Sequence, residues 1–178
     1  MEGVALTNVQ LDVLAENDKD LKKFYYGAVA CDKLPNNPHT NSPRAYIVNT
    51  DPYGKPGQHW IALWTKGNKC EVMDSYGVPL DVYGTTEPLQ SWLHKKWKYV
   101  IYNGQTLQAL NSQSCGHYVL MYLVAKSRGY NLQDFIKLFS KTDFVKNDYV
   151  VGQWLKAKVE CMTNWNEVCK RKYEQCCQ

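Results

Sequence analysis

A cysteine followed by a glycine, Cys115 and Gly116, lies immediately before an apolar stretch of the sequence. That stretch, YVLMYLVA (118–125), is typical of a buried helix, which would place the cysteine at a helix N-terminus. A thiol attacks as the thiolate, and the unpaired N–H groups and dipole of a helix N-terminus favour negative charge. Cys115 is therefore a candidate nucleophile, and Gly116 would let a substrate approach the backbone. The alternative is a structural thiol, since free cysteine is commonly buried.

A cysteine nucleophile needs a general base, and the sequence offers four histidines. His39 lies in a loop rich in proline and asparagine, and His94 neighbours two lysines on an amphipathic segment. His117 is two residues beyond the cysteine, so the two side chains would diverge on a helix. His59 opens the strand pattern HWIALWT after a glycine-rich turn, which is a rigid position for a base. A surface histidine at a strand end is the alternative for His59.

The base needs an acceptor that orients it, and the acyl-transfer transition state needs an oxyanion donor. Asp74 ends the strand pattern CEVMD, and a hairpin turn at 67–69 would bring it to the same end of the paired strands as His59. The sequence DSYG is equally compatible with a turn that starts at the aspartate. Gln108 and Gln113 are both candidates for the oxyanion donor.

The elements that would position these residues predict an α+β fold. Thr7 and Asn8 are good N-caps for a short helix, and Ser114 and Gly129 suit the two ends of another. We expect a central, mostly antiparallel sheet flanked by helices, with the nucleophile at the N-terminus of a buried helix. The predicted helices are 9–17, 87–97, 114–129, 131–140 and 147–174, and the predicted strands are 45–50, 59–65, 70–77 and 98–104.

The 178 residues suit one domain, 1–178, which we divide into a catalytic core (1–130) and a helical C-terminal lobe (131–178). A hydrophobic fraction of 44%, with 13 Tyr and 6 Trp, is enough for a substantial core. No apolar run approaches the roughly 20 residues of a membrane span. The N-terminal sequence MEGVALTN lacks the pattern of a signal peptide. We therefore expect an intracellular monomer that is neither secreted nor membrane-bound.

Seven cysteines without a signal peptide indicate thiols from a reducing compartment. Four of them lie near the C-terminus: Cys161, Cys169, Cys176 and Cys177. Their spacing matches no zinc template, so we expect no metal. Ordinary thiols on a helix face are favoured over a redox or partner-disulfide role.

Charge is distributed unevenly along the chain. Residues 1–89 carry 8 Lys and Arg against 11 Asp and Glu, whereas residues 90–178 carry 13 against 6. The basic half includes HKKWK (94–98) and CKRK (169–172), which could attract a phosphate backbone. Solvated helix faces are the alternative interpretation of these lysines and arginines.

Three motifs together resemble the adenovirus protease (adenain)-like cysteine proteases, a family in the clan of the SUMO- and NEDD8-specific proteases. They are HWIAL (59–63), DSYG (74–77) and QALNSQSCG (108–116), in this order. The glutamine seven residues before the cysteine, with Asn-Ser between them, is typical of the adenain-like branch. FYYGAVACDKLP (24–35) and AYIVNTD (45–51) also resemble family segments. The resemblance covers roughly residues 6–125 and extends to enzymes of polinton-type elements, virophages and other DNA viruses.

The resemblance implies a Cys-His-Asp triad. Cys115 would be the nucleophile, His59 the general base, and Asp74 the residue that orients it. Gln108 rather than Gln113 would then be the oxyanion donor. Trp60 would flank the site, with its ring near the imidazole. The chemistry would require no cofactor.

The function implied is a cysteine endopeptidase that cleaves protein substrates at small or glycine-containing sites. Such an enzyme would process viral capsid or core precursors during virion maturation, in the host nucleus or cytoplasm and inside the virion. Two alternatives stay open. One is an isopeptidase acting on ubiquitin-like proteins, and the other is a DNA- or capsid-binding module without catalysis.

The sequence departs from the family pattern in two ways. Adenovirus enzymes commonly have glutamate where this chain has Asp74. They are also activated by a peptide that is disulfide-linked to a strand cysteine, and the corresponding strand KYVIYN (98–103) has no cysteine. A covalent peptide activator is therefore not expected here, whereas a non-covalent peptide stays open. DNA, the family's second activator, would bind through the basic C-terminal half.

Overall fold

A computed structural model of the chain describes residues 4–38, 41–162, 165, 167–169 and 172. Within them, the α-helices are α1 (Asn8–Glu16), α2 (Glu87–Lys96), α3 (Cys115–Ser127), α4 (Leu132–Ile136) and α5 (Phe144–Glu160). The strands are β1 (Tyr25–Ala30), β2 (Arg44–Asn49), β3 (Trp60–Lys66), β4 (Lys69–Met73) and β5 (Tyr99–Tyr102). Short 3-10 segments occupy Leu21–Lys23 and Leu80–Tyr83. The α+β fold class predicted from the sequence is confirmed.

The strands form one sheet in the order β1-β2-β3-β4-β5. The two central pairings, β2–β3 and β3–β4, are antiparallel, whereas β1–β2 and β4–β5 are parallel. The sheet is thus mixed rather than mostly antiparallel. The difference arises at the edges, because α2 lies between β4 and β5 in sequence, and a helical crossover returns the chain to pair in parallel.

Both faces of the sheet are covered, which explains the continuous apolar runs of β2 and β3. Along β3, Ala62 and Trp64 face the hydrophobic cluster formed with α1 and α3. Ile61 and Leu63 face a second cluster that is formed with α2. The alternation fixes the register of β3, because a slip of one residue would exchange the two faces.

The helix α1 is fixed at its start and along the edge of the sheet. Thr7 caps it through a reciprocal capping box with Gln10. The Oδ1 atom of Asp12 accepts hydrogen bonds from the backbone N of Ala28 and from the hydroxyl of Tyr25, both at 2.8 Å. These bonds tie α1 to β1, an edge strand that the sequence analysis did not predict.

The helix α3 runs through the centre of the hydrophobic core. Its buried residues include Tyr118, Val119, Leu120, Tyr122 and Leu123. The expected ends are confirmed: Ser114 occupies the N-cap position, and Gly129, just beyond the C-cap, has a φ of 94°. Cys115 is therefore the first residue of a buried helix.

The C-terminal helices share this core. Phe135 of α4 and Val151 and Leu155 of α5 belong to the same cluster as α3. The Oδ2 atom of Asp18 also forms ion pairs with the guanidinium of Arg128 at 3.0 Å and with Nζ of Lys158, in α5, at 2.8 Å. The helix predicted over 131–140 is shorter. The helix predicted over 147–174 begins earlier, and α5 ends at Glu160; residues 165, 167–169 and 172 are also helical, and the other residues of 163–174 lie outside the described ones. The predicted catalytic core and lobe thus share one of the two hydrophobic clusters.

Within the described ranges, no helix is both long and apolar enough to cross a bilayer. Cys161 is exposed and Cys169 is half-buried. Cys176 and Cys177 lie outside the described residues, as does His39. No three metal-binding side chains come together among the residues that the structure describes.

Candidate active site

His59 and Asp74 meet at one end of the β3–β4 pair. His59 immediately precedes β3, and Asp74 immediately follows β4, in a register that pairs Ala62 with Met73. The Nε2 atom of His59 lies 2.7 Å from Oδ1 of Asp74, and the two residues are 4% and 2% exposed. A carboxylate only accepts hydrogen bonds, so Nε2 carries the shared hydrogen. The antiparallel hairpin brings these two residues together as expected from the sequence.

Two further residues bind the carboxylate of Asp74, and a third binds its backbone. Its Oδ2 accepts a hydrogen bond of 2.8 Å from the hydroxyl of Tyr83, and its Oδ1 accepts one of 3.0 Å from the backbone N of Tyr76. Asn103 holds the backbone: its Oδ1 accepts from the N of Asp74, and its Nδ2 donates to the carbonyl of Asp74. The carboxylate therefore has a defined orientation towards His59.

The imidazole of His59 lies between two tyrosine rings. Tyr76 stacks on it at 4.8 Å between ring centroids, with an interplanar angle of 22°. Tyr83 stacks at 5.1 Å, with an angle of 14°. Burial and the neighbouring Asp74 raise the pKa of Tyr83, so its hydroxyl stays protonated as a donor. The two stacked rings restrict rotation of the imidazole.

Cys115 completes this group from the N-terminus of α3 and is itself half-buried. Burial lowers the pKa of His59, but hydrogen bonds with Asp74 and with Cys115 outweigh this effect and raise the pKa to about 9. Because Nε2 is engaged by Asp74, the contact with Cys115 uses Nδ1. With a pKa of about 9, the imidazole is positively charged at neutral pH, and it lies beside the first residue of α3.

The side chain of Gln108 is held in one orientation. It is 1% exposed, and its Oε1 accepts a hydrogen bond of 2.6 Å from the hydroxyl of Ser75. Its Nε2 lies 2.9 Å from the carbonyl of Ser112 and 3.3 Å from the hydroxyl of Tyr76. The carbonyl of Ser112 only accepts, so it distinguishes the two ends of the amide and fixes the N–H end towards Ser112 and Tyr76.

These groups open onto one cleft of about 800 Å³. Its walls are formed by 5–8, 28–30, 51–58, His59, Trp60, Tyr76, Gln108, Ser112, Gln113 and Cys115. Trp60 donates its indole N–H to the carbonyl of Leu6 at 3.0 Å, which fixes it against the N-terminal wall. Trp60 therefore flanks the cleft as expected, but the rings that stack on the imidazole are those of Tyr76 and Tyr83.

Gly116 has a different role from the one expected. It is buried, and a Cβ at this position would lie 3.1 Å from Cβ of Leu6 and 3.5 Å from Cδ2 of Leu11. Glycine therefore lets α3 pack against the N-terminal segment, and Gly116 is not among the residues that line the cleft. The expectation that it admits substrate to the backbone is corrected to a packing role.

The remaining sequence candidates are separate from the His59 group. His117 is buried inside α3, whereas His94 is exposed on α2. Gln113 lines the cleft but is exposed, in contrast to the buried and doubly anchored Gln108. Among the histidines that the structure describes, His59 alone lines the cleft.

Four residues around the site were not selected from the sequence: Ser75, Tyr76, Tyr83 and Asn103. Ser75 and Tyr76 directly follow Asp74, so adjacency was an available signal. Asn103 directly follows β5, which pairs with β4, so its position at the end of a neighbouring strand was a second available signal. Tyr83 comes from the 3-10 segment Leu80–Tyr83, and nothing in its local sequence indicates that it returns to Asp74.

Similarity to known proteins is found among solved structures. No protein-family model matches the sequence, and no curated protein is similar to it. Among solved structures, the chain is similar to the ASFV pS273R protease, with a TM-score of 0.38 and 22% sequence identity. The similar region covers 60% of this chain and 41% of that protease chain.

Proposed function

We propose that this protein is a cysteine peptidase whose nucleophile is Cys115. The observation that carries the proposal is that the Asp74-bound imidazole of His59 lines the same cleft as Cys115, which lies at a helix N-terminus. A charged imidazole beside a thiol, held by a buried carboxylate, is the arrangement that thiol-dependent acyl transfer requires.

In the acylation step the Cys115 thiolate attacks the carbonyl carbon of the scissile amide. The carbonyl electron pair moves onto oxygen, and the resulting oxyanion receives hydrogen bonds from the backbone N–H of Cys115 and from Nε2 of Gln108, where it replaces the 3.3 Å bond to the hydroxyl of Tyr76. Collapse of the tetrahedral intermediate breaks the C–N bond. The His59 imidazolium gives its Nδ1 proton to the leaving amine, and a thioester remains on Cys115.

In the deacylation step water attacks the thioester. His59, now neutral, takes a proton from the water through Nδ1, and the Cys115 thiolate leaves as the carboxylic acid product forms. Asp74 keeps its hydrogen bond to Nε2 throughout, so the imidazole exchanges protons only on the side of the cleft. The four residues thereby return to their starting state.

The finer parts of the proposal rest on the resemblance of the sequence motifs. By this resemblance, the protein is an endopeptidase that cleaves at glycine-containing sites and processes viral capsid or core precursors. An activating peptide or DNA would act by increasing the fraction of molecules in which Cys115, His59 and Gln108 are aligned.

The test is hydrolysis of a Leu-Gly-Gly aminomethylcoumarin amide, combined with trapping by a Gly-Gly vinyl sulfone peptide. We expect fluorescence release by the wild type, and a covalent adduct that peptide mass spectrometry locates on Cys115. The variants Cys115→Ala and His59→Gln should release no fluorescence above background. Circular dichroism and thermal melting of each variant check that the fold is retained.

Cleavage by Cys115→Ala would overturn the proposal. An adduct on another cysteine, with none on Cys115, would also overturn it. A ubiquitin-like protein carrying a C-terminal vinyl sulfone separates the isopeptidase alternative, because an isopeptidase would react with it much faster than with the short peptide.

A further inference from the structure

The residues on each side of Gln108 are held by the C-terminal helix α5. The carbonyl of Leu107 accepts a hydrogen bond of 2.9 Å from Nδ2 of Asn147, and the backbone N of Ala109 donates one of 3.3 Å to Oδ2 of Asp148. Asn147 is 2% exposed and is fixed in turn by two bonds with the backbone of Ser140. These contacts join positions about 40 residues apart in the sequence.

Tyr118 of α3 connects the same groups. Its hydroxyl lies 3.1 Å from the carbonyl of Leu107 and 2.8 Å from Oδ1 of Asp148. The ring is fully buried, and burial together with Asp148 raises the pKa of Tyr118, so the hydroxyl stays protonated. Asp148 thus anchors Ala109 directly, and its Oδ1 shares the single hydroxyl hydrogen of Tyr118 with the carbonyl of Leu107.

On their other side, residues 107–109 are held by Ser75, which lies two residues beyond the end of β4. The carbonyl of Ser75 accepts hydrogen bonds from the backbone N of Leu107 at 2.8 Å and of Gln108 at 3.1 Å. Residues 107–109 belong to no helix or strand, so no ladder of their own fixes them. Their position is set by Ser75 on one side and by α5 on the other.

We propose that α5 is part of the catalytic apparatus because it positions the oxyanion side chain. Asn147, Asp148 and Tyr118 are positioning residues that act through the backbone on each side of Gln108. The catalytic consequence rests on the proposed function, whereas the structural consequence, a fixed Gln108 amide, does not. A displacement of about 1 Å at such a donor is enough to cost about a hundredfold in rate.

The variants that test this are Asp148→Ala, Asp148→Asn and Tyr118→Phe. Alanine suits a helix interior, and asparagine retains one acceptor for the N–H of Ala109. The matched control is Tyr122→Phe, because Tyr122 lies one turn along α3, is equally buried, and donates its hydroxyl to Glu71 at 2.7 Å. Tyr122 belongs to the same hydrophobic cluster as Tyr118, but its hydroxyl bonds to Glu71 and not to residues 107–109.

We expect Asp148→Ala to lower kcat for the coumarin amide by about tenfold to a hundredfold, because the oxyanion donor is displaced rather than removed. Asp148→Asn should recover part of the rate, and Tyr122→Phe should keep the wild-type rate. Alkylation of Cys115 by iodoacetamide needs no oxyanion donor, so its rate should stay unchanged in all the variants. A fall in alkylation parallel to kcat would overturn the proposal, because it would indicate general loss of the site.

A double-mutant cycle with Gln108→Ala tests the route of the effect. If α5 acts through Gln108, Asp148→Ala should cause no further loss in the Gln108→Ala background. Independent, multiplying losses would overturn the proposal.

A readout that does not require activity separates this inference from the proposed function. In protein labelled with ¹⁵N-glutamine, the side-chain NH₂ signals of Gln108 are identified by their disappearance in Gln108→Ala. Asp148→Ala and Tyr118→Phe should shift those signals, and Tyr122→Phe should leave them in place. Unmoved signals in Asp148→Ala would overturn the proposal even if the enzyme is active. Shifted signals in a protein without peptidase activity would support the positioning role and contradict the proposed function alone.

Discussion

The Nε2 atom of His59 lies 2.7 Å from Oδ1 of Asp74, and both side chains are almost completely buried. Burial alone would keep the imidazole neutral, yet the hydrogen bonds with Asp74 and Cys115 raise its pKa to about 9. The hydrogen bond with Asp74 therefore helps to keep the buried imidazole charged.

The variant Asp74→Asn should move the alkaline limb of the activity profile to lower pH. In the wild type, the imidazolium that protonates the leaving amine is present below about pH 9 and is lost as the pH rises through that value. Without the Asp74 carboxylate, burial is no longer offset, so the pKa of His59 falls. A plot of kcat/KM for the coumarin amide against pH measures the shift.

The same imidazolium contributes to folding stability. Its pKa is raised on folding, so this contribution is complete below about pH 6.5 and is lost as the pH approaches 9. Urea unfolding of the wild type across this range should show the decline, and Asp74→Asn should flatten it. An unchanged alkaline limb and an unchanged stability profile in Asp74→Asn would contradict the assigned role of Asp74.

Tyr83→Phe should reduce the free energy of unfolding by about 1 to 3 kcal/mol, because it leaves Oδ2 of the buried Asp74 without its 2.8 Å donor. The ring that stacks on His59 is retained. Tyr53→Phe is the control, since Tyr53 is 77% exposed and should tolerate the change. Urea denaturation compares the two, and equal stability of both variants would show that the Tyr83 hydroxyl does not anchor Asp74.

Ser75→Ala should lower kcat by about tenfold or more, because the amide of Gln108 loses the donor that holds its Oε1 at 2.6 Å. The freed amide can then turn its oxygen towards the oxyanion, which repels it. The control is Ser127→Ala, which removes a hydroxyl bound to the carbonyl of Val124 at the far end of α3. A normal kcat in Ser75→Ala would contradict an oxyanion role for Gln108 in this orientation.

DNA binding, predicted from the basic half of the sequence, can be tested on lysines that the fold brings together. The carbonyl of Asn68 accepts hydrogen bonds from the backbone N of residues 98 and 99, which joins the β3–β4 turn to the end of α2. Four exposed lysines lie along these segments: Lys66, Lys69, Lys95 and Lys98.

We expect fluorescence anisotropy with single-stranded DNA to show salt-dependent binding, and each lysine changed to glutamine to reduce the slope against log salt by about one. Lys141, an exposed lysine after α4, serves as the control. Equal slopes for Lys98→Gln and Lys141→Gln would show that the four lysines do not form the binding surface.

Local signals in the sequence were sufficient to predict a contact where residues that are close in space are also close in the sequence. The cap at Thr7 predicts the start of α1, and the β3–β4 hairpin predicts the meeting of His59 with Asp74. The parallel pairing of β1 with β2 was not predictable in this way. Tyr25–Ala30 contains Gly27, and its burial depends on α1 and on a strand about 20 residues away.

The supporting contacts of the site were the least predictable. Tyr83 reaches Asp74 from a 3-10 segment, and Asn147 and Asp148 reach residues 107–109 across about 40 residues. No periodicity or motif encodes such pairings, because they depend on how complete elements pack against each other.

The most direct test is the rate of alkylation of Cys115 by iodoacetamide between about pH 5 and 9, followed by peptide mass spectrometry. An ordinary thiol becomes reactive near pH 8.5, whereas a thiol paired with an imidazolium reacts well below pH 7. The exposed Cys161 is the reference thiol within the same molecule. The proposed site predicts fast labelling of Cys115 at low pH in the wild type, and its loss in His59→Gln. Labelling of Cys115 that follows Cys161 across the whole range, unchanged by His59→Gln, would contradict it.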